Sequence, residues 1–278
     1  MKASFILAVA AACFTAATSI GQIVATNYGS LGAAGNGTHT AGVILDVPGA
    51  IVAGSDSGVM YSGGERTTVP FNTALNPPAA SPFTIELWVF PTFSDNDDTP
   101  LSNRQASGNR SGWTFFQRAD TTGWNFRMYN GVGSNLGWDL TGGTSTLNAW
   151  SHIVATWNGS AAVLYVNGVL ADNTNDSAAT GVYNPNTAAL SPVLSIAANF
   201  DGGSPSTATI DEVAFYGSAL TPAQIANHYA LASSPVAGAY RNQVLTDGAI
   251  EYLPVPEPAS AWLLAAAATV AVVRRRRS

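Results

Sequence analysis

Charge and cysteine are what this sequence has least of. Only 10% of its 278 residues are Asp, Glu, Lys or Arg, and Cys13, set in an apolar stretch near the N-terminus, is the single cysteine. An internal disulfide and a thiolate metal site are therefore excluded from the rest of the chain. Lysine is confined to Lys2, and Arg274, Arg275, Arg276 and Arg277 form one terminal run. Between the ends the basic residues are Arg66, Arg104, Arg110, Arg118, Arg127 and Arg241, outnumbered by Asp and Glu. That acidic balance offers no footprint for a nucleic acid, which is not expected as a partner. His39, His152 and His228 stand far apart and accompany no nucleophile or ligand motif; His152, inside an apolar strand, reads as structural. The surface must be built from Ser, Thr, Asn and Gly, and seven Trp supply apolar bulk. Such a composition suits strands and turns better than helices.

Long apolar runs occur only at the two ends. After Met1-Lys2, residues 3–17 are apolar and lead into Thr18, Ser19 and Gly21, the pattern of a secretory signal peptide cleaved after Gly21. At the other end Pro256-Glu257-Pro258 precedes an apolar stretch, 259–273, and the arginine run. As a helix that stretch is about 22 Å long at about 1.5 Å per residue, short of a ~30 Å hydrocarbon core unless flanking residues snorkel. The arginines hold their side in the cytoplasm, so the body faces outward, in agreement with the leader. The order of Pro-Glu-Pro, apolar helix and Arg274–Arg277 resembles the PEP-CTERM sorting signal. The resemblance implies handling by an exosortase, a membrane transpeptidase, and a protein of the cell envelope or extracellular matrix anchored in the membrane before processing. An ordinary C-terminal anchor is the rival reading.

The expected organisation is a signal peptide at 1–21, a sandwich at 22–231, a linker at 232–254 and the sorting signal at 255–278. Within the sandwich, residues 83–90 alternate Phe83, Ile85, Leu87 and Val89 on one face, with Trp88 and Phe90 weighting the other, as in a central strand. Residues 113–118 and 124–129 flank a Gly-containing loop and predict a hairpin. Two further strands meet at Asn158-Gly159-Ser160, and the second turns again at Asn167-Gly168; Asn-Gly tolerates the positive φ that primed hairpin turns need. Residues 190–198 and 207–216 predict the last strand pair. Thr221 as N-cap, Pro222 at the first helical position, Gln224 in the capping box and Leu220 with Ile225 as staple predict one short helix. Residues 232–254 open with Ser233-Ser234-Pro235, a linker signal, although 244–245 and 250–253 leave room for another strand.

The strand at 83–90, the meander at 150–168 and Ile210-Asp211-Glu212-Val213 before the helix resemble the laminin-G-like, concanavalin A-like jelly roll over about residues 43–231. The implied fold class is all-β, an antiparallel two-sheet sandwich. The implied function is binding of polysaccharide or of a surface or matrix protein, often through rim loops with Ca2+. Asn199 and Asp201, in Asn199-Phe200-Asp201-Gly202-Gly203, are the candidate calcium ligands, with Asn109 near a partner loop; 94–98 is a second acidic loop. A structural matrix protein is an alternative reading. A glycoside hydrolase is a remote one, because retaining catalysis needs two carboxyls about 5–5.5 Å apart and no Glu-x-Asp-x-Glu strand occurs. Glu86 and Glu212 are the acids such an enzyme would have to use. Asp211 and Glu212, adjacent on a strand, are expected on opposite faces. No catalytic residue is expected. Trp88, Trp150 and Trp157 read as core, and Trp113, Trp124 and Trp138 as candidates for exposed sugar stacking.

Overall fold

The computed structural model describes residues 23–254, apart from 54–55, 96, 106–107, 120–122, 135, 178–182 and 191–192. The expected signal peptide and sorting tail lie outside the described residues. Among the described residues no helix is long and apolar enough to cross a membrane.

The strands run in chain order as β1 (Val24–Ala25), β2 (Gly37–His39), β3 (Ile44–Pro48), β4 (Ser57–Ser62), β5 (Thr67–Val69), β6 (Phe83–Pro91), β7 (Leu101–Ser102) and β8 (Trp113–Arg118). They continue as β9 (Gly123–Tyr129), β10 (Leu136–Gly142), β11 (Ser151–Trp157), β12 (Ala162–Val166), β13 (Val169–Asp172), β14 (Leu194–Ile196), β15 (Thr207–Tyr216) and β16 (Ala249–Leu253). Two helices, α1 (Pro222–Leu231) and α2 (Ala239–Thr246), lie between the last two strands. The first sheet has the order β1-β2-β5-β14-β7-β8-β9-β10, and the second β13-β12-β11-β6-β15-β4-β3, with β16 also on β15. This is the expected antiparallel sandwich.

Alternation builds the core between the sheets. Phe83, Ile85, Leu87 and Val89 of β6 meet Ile153, Ala155 and Trp157 of β11 and, from the first sheet, Trp113, Phe115, Trp124, Phe126 and Met128. Trp113 and Trp124, expected as candidates for exposure, are fully buried there, because each takes the inward register of its strand. Trp138 packs on the same core and meets Trp157 edge to face at 5.8 Å. Asn167 and Gly168 both adopt positive φ, 52° and 76°, and carry the turn between β12 and β13. The capping box of Thr221 and Gln224 is formed.

Residues 232–254 correct the expected linker. They contain α2 and β16, and β16 pairs antiparallel with the second half of β15, Val213 opposite Leu253 and Ala214 opposite Tyr252. Tyr240, Val244, Ala249 and Tyr252 join Trp88, Val154, Tyr216, Leu220 and Ile225 in a second apolar cluster. Burial of that size is tertiary structure, and the sandwich ends near Leu253.

Candidate binding face

A two-sheet sandwich has two outward faces, and here they differ in kind. The outward face of the second sheet is closed around Glu86. Its Oε1 accepts from His152 Nε2 at 2.7 Å and from the Tyr240 hydroxyl at 2.7 Å; its Oε2 accepts from the Tyr216 hydroxyl at 2.8 Å and from His228 Nδ1 at 2.9 Å. His228 turns its other nitrogen to Asp247 at 2.8 Å. A ring with a carboxylate at each nitrogen must donate from both, so His228 is an imidazolium. Burial alone would push the Glu86 carboxyl up, but the His228 charge and the hydrogen bonds of both histidines hold it well below the usual carboxylate range. Burial likewise lowers His228, and Glu86 with Asp247 outweighs it, leaving the imidazole raised. Glu86, His152 and His228 are each 0% exposed, and α1 and α2 lie over them. The five elements that supply this network, β6, β11, β15, α1 and α2, are spread along the sequence, and only the topology brings the two histidines together.

Beside it, a β-bulge corrects the expectation for Asp211 and Glu212. The register slips between Asp211 and Ala214, and Glu212 takes φ of 54° as the extra residue. Both acids consequently lie on the helix-covered side, within 4.8 Å of Asp56. Asp211 Oδ2 accepts the Ala50 amide at 3.0 Å, Asp56 Oδ2 the Ile51 amide at 2.7 Å, and Glu212 the Tyr252 hydroxyl. Burial, with the Glu212 and Asp56 charges, raises Asp211 well above its ordinary value, and burial with Asp56 pushes Glu212 up to about 8. Glu212 thus holds its proton at neutral pH.

Glu251 is a simpler case. Both of its carboxyl oxygens are buried without a partner, in the hollow left by the absent side chain of Gly35, and burial pushes it up to about 8. A raised acid binds a proton in the folded state that the unfolded chain gives up above about 4.5, so its stabilising share is whole below that pH and disappears as pH rises through about 8. Thermal melts are expected to fall by several degrees between pH 6 and pH 9, at about 2–4 °C per kcal/mol. Glu251→Gln should reduce that slope, leaving the share of Glu212, and melt higher than the parent at pH 9; an unchanged slope would refute the assignment.

Of the expected calcium ligands, Asn199 is buried with its Oδ1 unpartnered, while Asp201 is exposed and accepts the Gly203 amide at 3.1 Å. Calcium takes about six to eight oxygens, and this loop supplies two from side chains. Asn109 is tied to the Gly133 amide at 2.9 Å. In the second acidic loop Asp97 pairs with Arg118 at 2.7 Å and Asp98 accepts the Asp95 amide at 2.9 Å. Among the described residues, one ligand atom each of Asp56, Asp211 and Glu212 lies within 4.8 Å of the other two.

The outward face of the first sheet is different. Cross-strand registers line up one residue from each of its eight strands: Val24, Thr38, Thr68, Ser195, Ser102, Thr114, Arg127 and Asp139. A second row sets Phe116 beside Asn125 and Thr141. The floor is thus mostly hydroxyl and amide, with Ser102, Thr114, Ser195 and Asn125 buried and Thr38, Thr68, Arg127, Asp139 and Thr141 half-buried, where an ordinary solvated face would carry more long charged side chains. Asn125 donates through Nδ2 to Asp139 Oδ1 at 2.6 Å and to the Leu140 carbonyl at 2.9 Å, and its own Oδ1 is buried without a partner. Ser195 Oγ and Arg104 Nε are also buried and unpartnered. Arg104 lies over the Tyr129 ring at 5.6 Å and the Phe116 ring at 6.0 Å; Arg127 lies over Phe116 at 5.2 Å. Buried polar groups in folded proteins are almost always paired, and these three on one face have no partner within the chain. Sequence reasoning placed no candidate there.

Two antiparallel sheets stacked on an aromatic core, one backed by a short capped helix after the last long strand, define a concanavalin A-like sandwich. Residues 62–226 match the family Laminin_G_3, of the concanavalin A-like lectin/glucanases superfamily. The chain belongs to that family. No curated protein sequence matches it. Among solved structures it is similar to the binding domain of Paraclostridial Mosquitocidal Protein 1, at 17% identity and TM-score 0.53, over 74% of this chain and 51% of that one. It is also similar to the botulinum neurotoxin serotype G binding domain, at 14% identity and TM-score 0.51, over 77% and 47%. A third is the binding domain of botulinum neurotoxin DC in complex with SialylT, at 17% identity and TM-score 0.51, over 71% and 46%. The chain spans about half the length of these three, and at such identities the likeness is one of fold.

Proposed function

We propose that this chain is a non-catalytic carbohydrate-binding module, exported and held at the cell envelope, that engages polysaccharide across the outward face of its first sheet. The observation that carries the reading is that face: a row of hydroxyls, amides and arginines over aromatic rings, with the buried Ser195 Oγ, Asn125 Oδ1 and Arg104 Nε lacking partners. A sugar ring presents hydroxyls that donate and accept, the complement such a floor requires. The binding domains with similar folds support the choice of ligand class, and one of them is titled as a complex with SialylT. Non-catalytic is argued from acid placement. Glu86, Asp211 and Glu212 are buried on the other sheet, and the acid on the binding face, Asp139, is engaged by Arg127 at 3.3 Å and by Asn125. Export, retention and processing by an exosortase-type transpeptidase rest on the leader at 1–21 and on Pro256-Glu257-Pro258 with Arg274–Arg277.

The test is affinity electrophoresis or calorimetry of the full-length chain, in mild non-ionic detergent, against a panel of neutral and acidic polysaccharides. Saturable binding is expected, and Thr68→Trp, which fills the half-buried floor beside Ser195, should weaken it by about tenfold or more, equivalent to about 1.4 kcal/mol, while leaving the melt unchanged. A purely structural matrix protein would bind none of the panel. Polysaccharide turnover would overturn the non-catalytic assignment.

A further inference from the structure

We infer that the ligand carries negative charge: the face is built around Arg104 to seat a carboxylate or sulfate group of an acidic polysaccharide. The inference rests on the binding reading above and narrows it. In a chain of net charge −6 with six arginines between its ends, three of them, Arg104, Arg110 and Arg127, gather over Phe116 and Tyr129. Arg127 is answered by Asp139. Among the described residues Arg104 and Arg110 have no carboxylate partner.

Arg104 decides the matter, because it is 8% exposed. A guanidinium removed from water without a counter-ion is costly to fold. Its compensation here consists of two neutral rings and one long contact, from an Nη nitrogen to the Tyr129 hydroxyl at 3.5 Å, while its Nε stays buried and unused. Its backbone is fixed by the amide, which donates to Ser102 Oγ at 3.0 Å. The fork is therefore held in place with donors to spare. Planar forks of this kind match carboxylate and sulfate oxygens in pairs. Arg110, 5.9 Å from the centre of the Tyr129 ring, adds a second positive charge nearby. The half-buried hydroxyls of Thr38, Thr68 and Thr141 on the same face then serve sugar hydroxyls flanking the charged group. This places recognition on the sheet face and away from the 199–203 rim loop.

The test titrates the full-length chain, in the same detergent, with polygalacturonate, dextran sulfate and neutral dextran at low and at high salt. Binding to one or both polyanions, weakened about tenfold or more between roughly 50 and 300 mM salt, is expected, with carboxylate and sulfate distinguished by which probe binds. Arg104→Met should lose that preference while melting at the same or a higher temperature, since it removes an unpaired buried charge. Equal affinity for dextran and both polyanions, unaffected by Arg104→Met, would overturn the inference and leave the binding reading standing. No binding of any of the three would overturn both. Should Arg104→Met unfold, Arg104→Lys keeps charge and loses the fork; undiminished polyanion binding in that variant would also overturn the inference.

Discussion

Glu86→Ala is expected to reduce the free energy of unfolding at pH 7 by roughly 3–5 kcal/mol, the cost of removing one partner from a buried charged network. The substitution strands four donors at once: His152 Nε2, His228 Nδ1 and the hydroxyls of Tyr216 and Tyr240. It also leaves the His228 imidazolium with Asp247 alone, on a side chain that is itself 0% exposed. Glu86→Gln keeps the shape, but an amide nitrogen then faces groups that need an acceptor, so it should cost nearly as much. Urea unfolding with the slope unchanged measures the loss directly. A loss below about 1 kcal/mol, the range of an ordinary surface change, would show that the network does not hold α1 and α2 to the sheet.

Truncation after Leu231 should have a larger effect still, leaving a chain that fails to fold cooperatively. The deletion removes Tyr240, Val244, Tyr252 and Leu253 from the interior. At roughly 1.5–3 kcal/mol for each large apolar side chain, that loss is comparable with the whole stability of a typical domain, about 5–15 kcal/mol. It also unpairs Val213 to Tyr216 of β15 and strips Glu212 of its hydroxyl partner. Circular dichroism and dye binding on chains ending at 231 and at 254 check this. A chain ending at 231 that melts as sharply as the longer one would restore 232–254 to the status of a linker.

These two cases also show what a sequence discloses and what it withholds. β6, the β11–β12–β13 meander and α1 were legible because their signals are local: strict alternation, Asn-Gly dipeptides and a capping box within a few residues of one another. α2 was not, and β16 was legible only as the alternative strand at 250–253, because a Ser-Ser-Pro breaker precedes them and their stabilising partners, Trp88 and β15, lie far back in the chain. The bulge at Glu212 was hidden for a different reason. Positive φ is announced by glycine or asparagine, and Asp-Glu-Val has neither. The binding face is the extreme case, since its polar row takes one residue from each of eight strands between Val24 and Asp139 and across to Ser195. Five of the eight are an unremarkable Ser or Thr within their own strands, and only the cross-strand register makes them a surface. Arg104, in a short segment after β7, carries no pattern at all, and its isolation from any carboxylate is a property of the fold.

Hydrogen–deuterium exchange on the full-length chain, with and without saturating polysaccharide from the panel, tests the account most directly. Slowed exchange confined to β5, β14, β8, β9 and β10 and to the segment around Arg104, with α1, α2 and the 199–203 loop unchanged, is the expected result. Slowing at the helices or at that loop, with β8 to β10 indifferent to ligand, would contradict it.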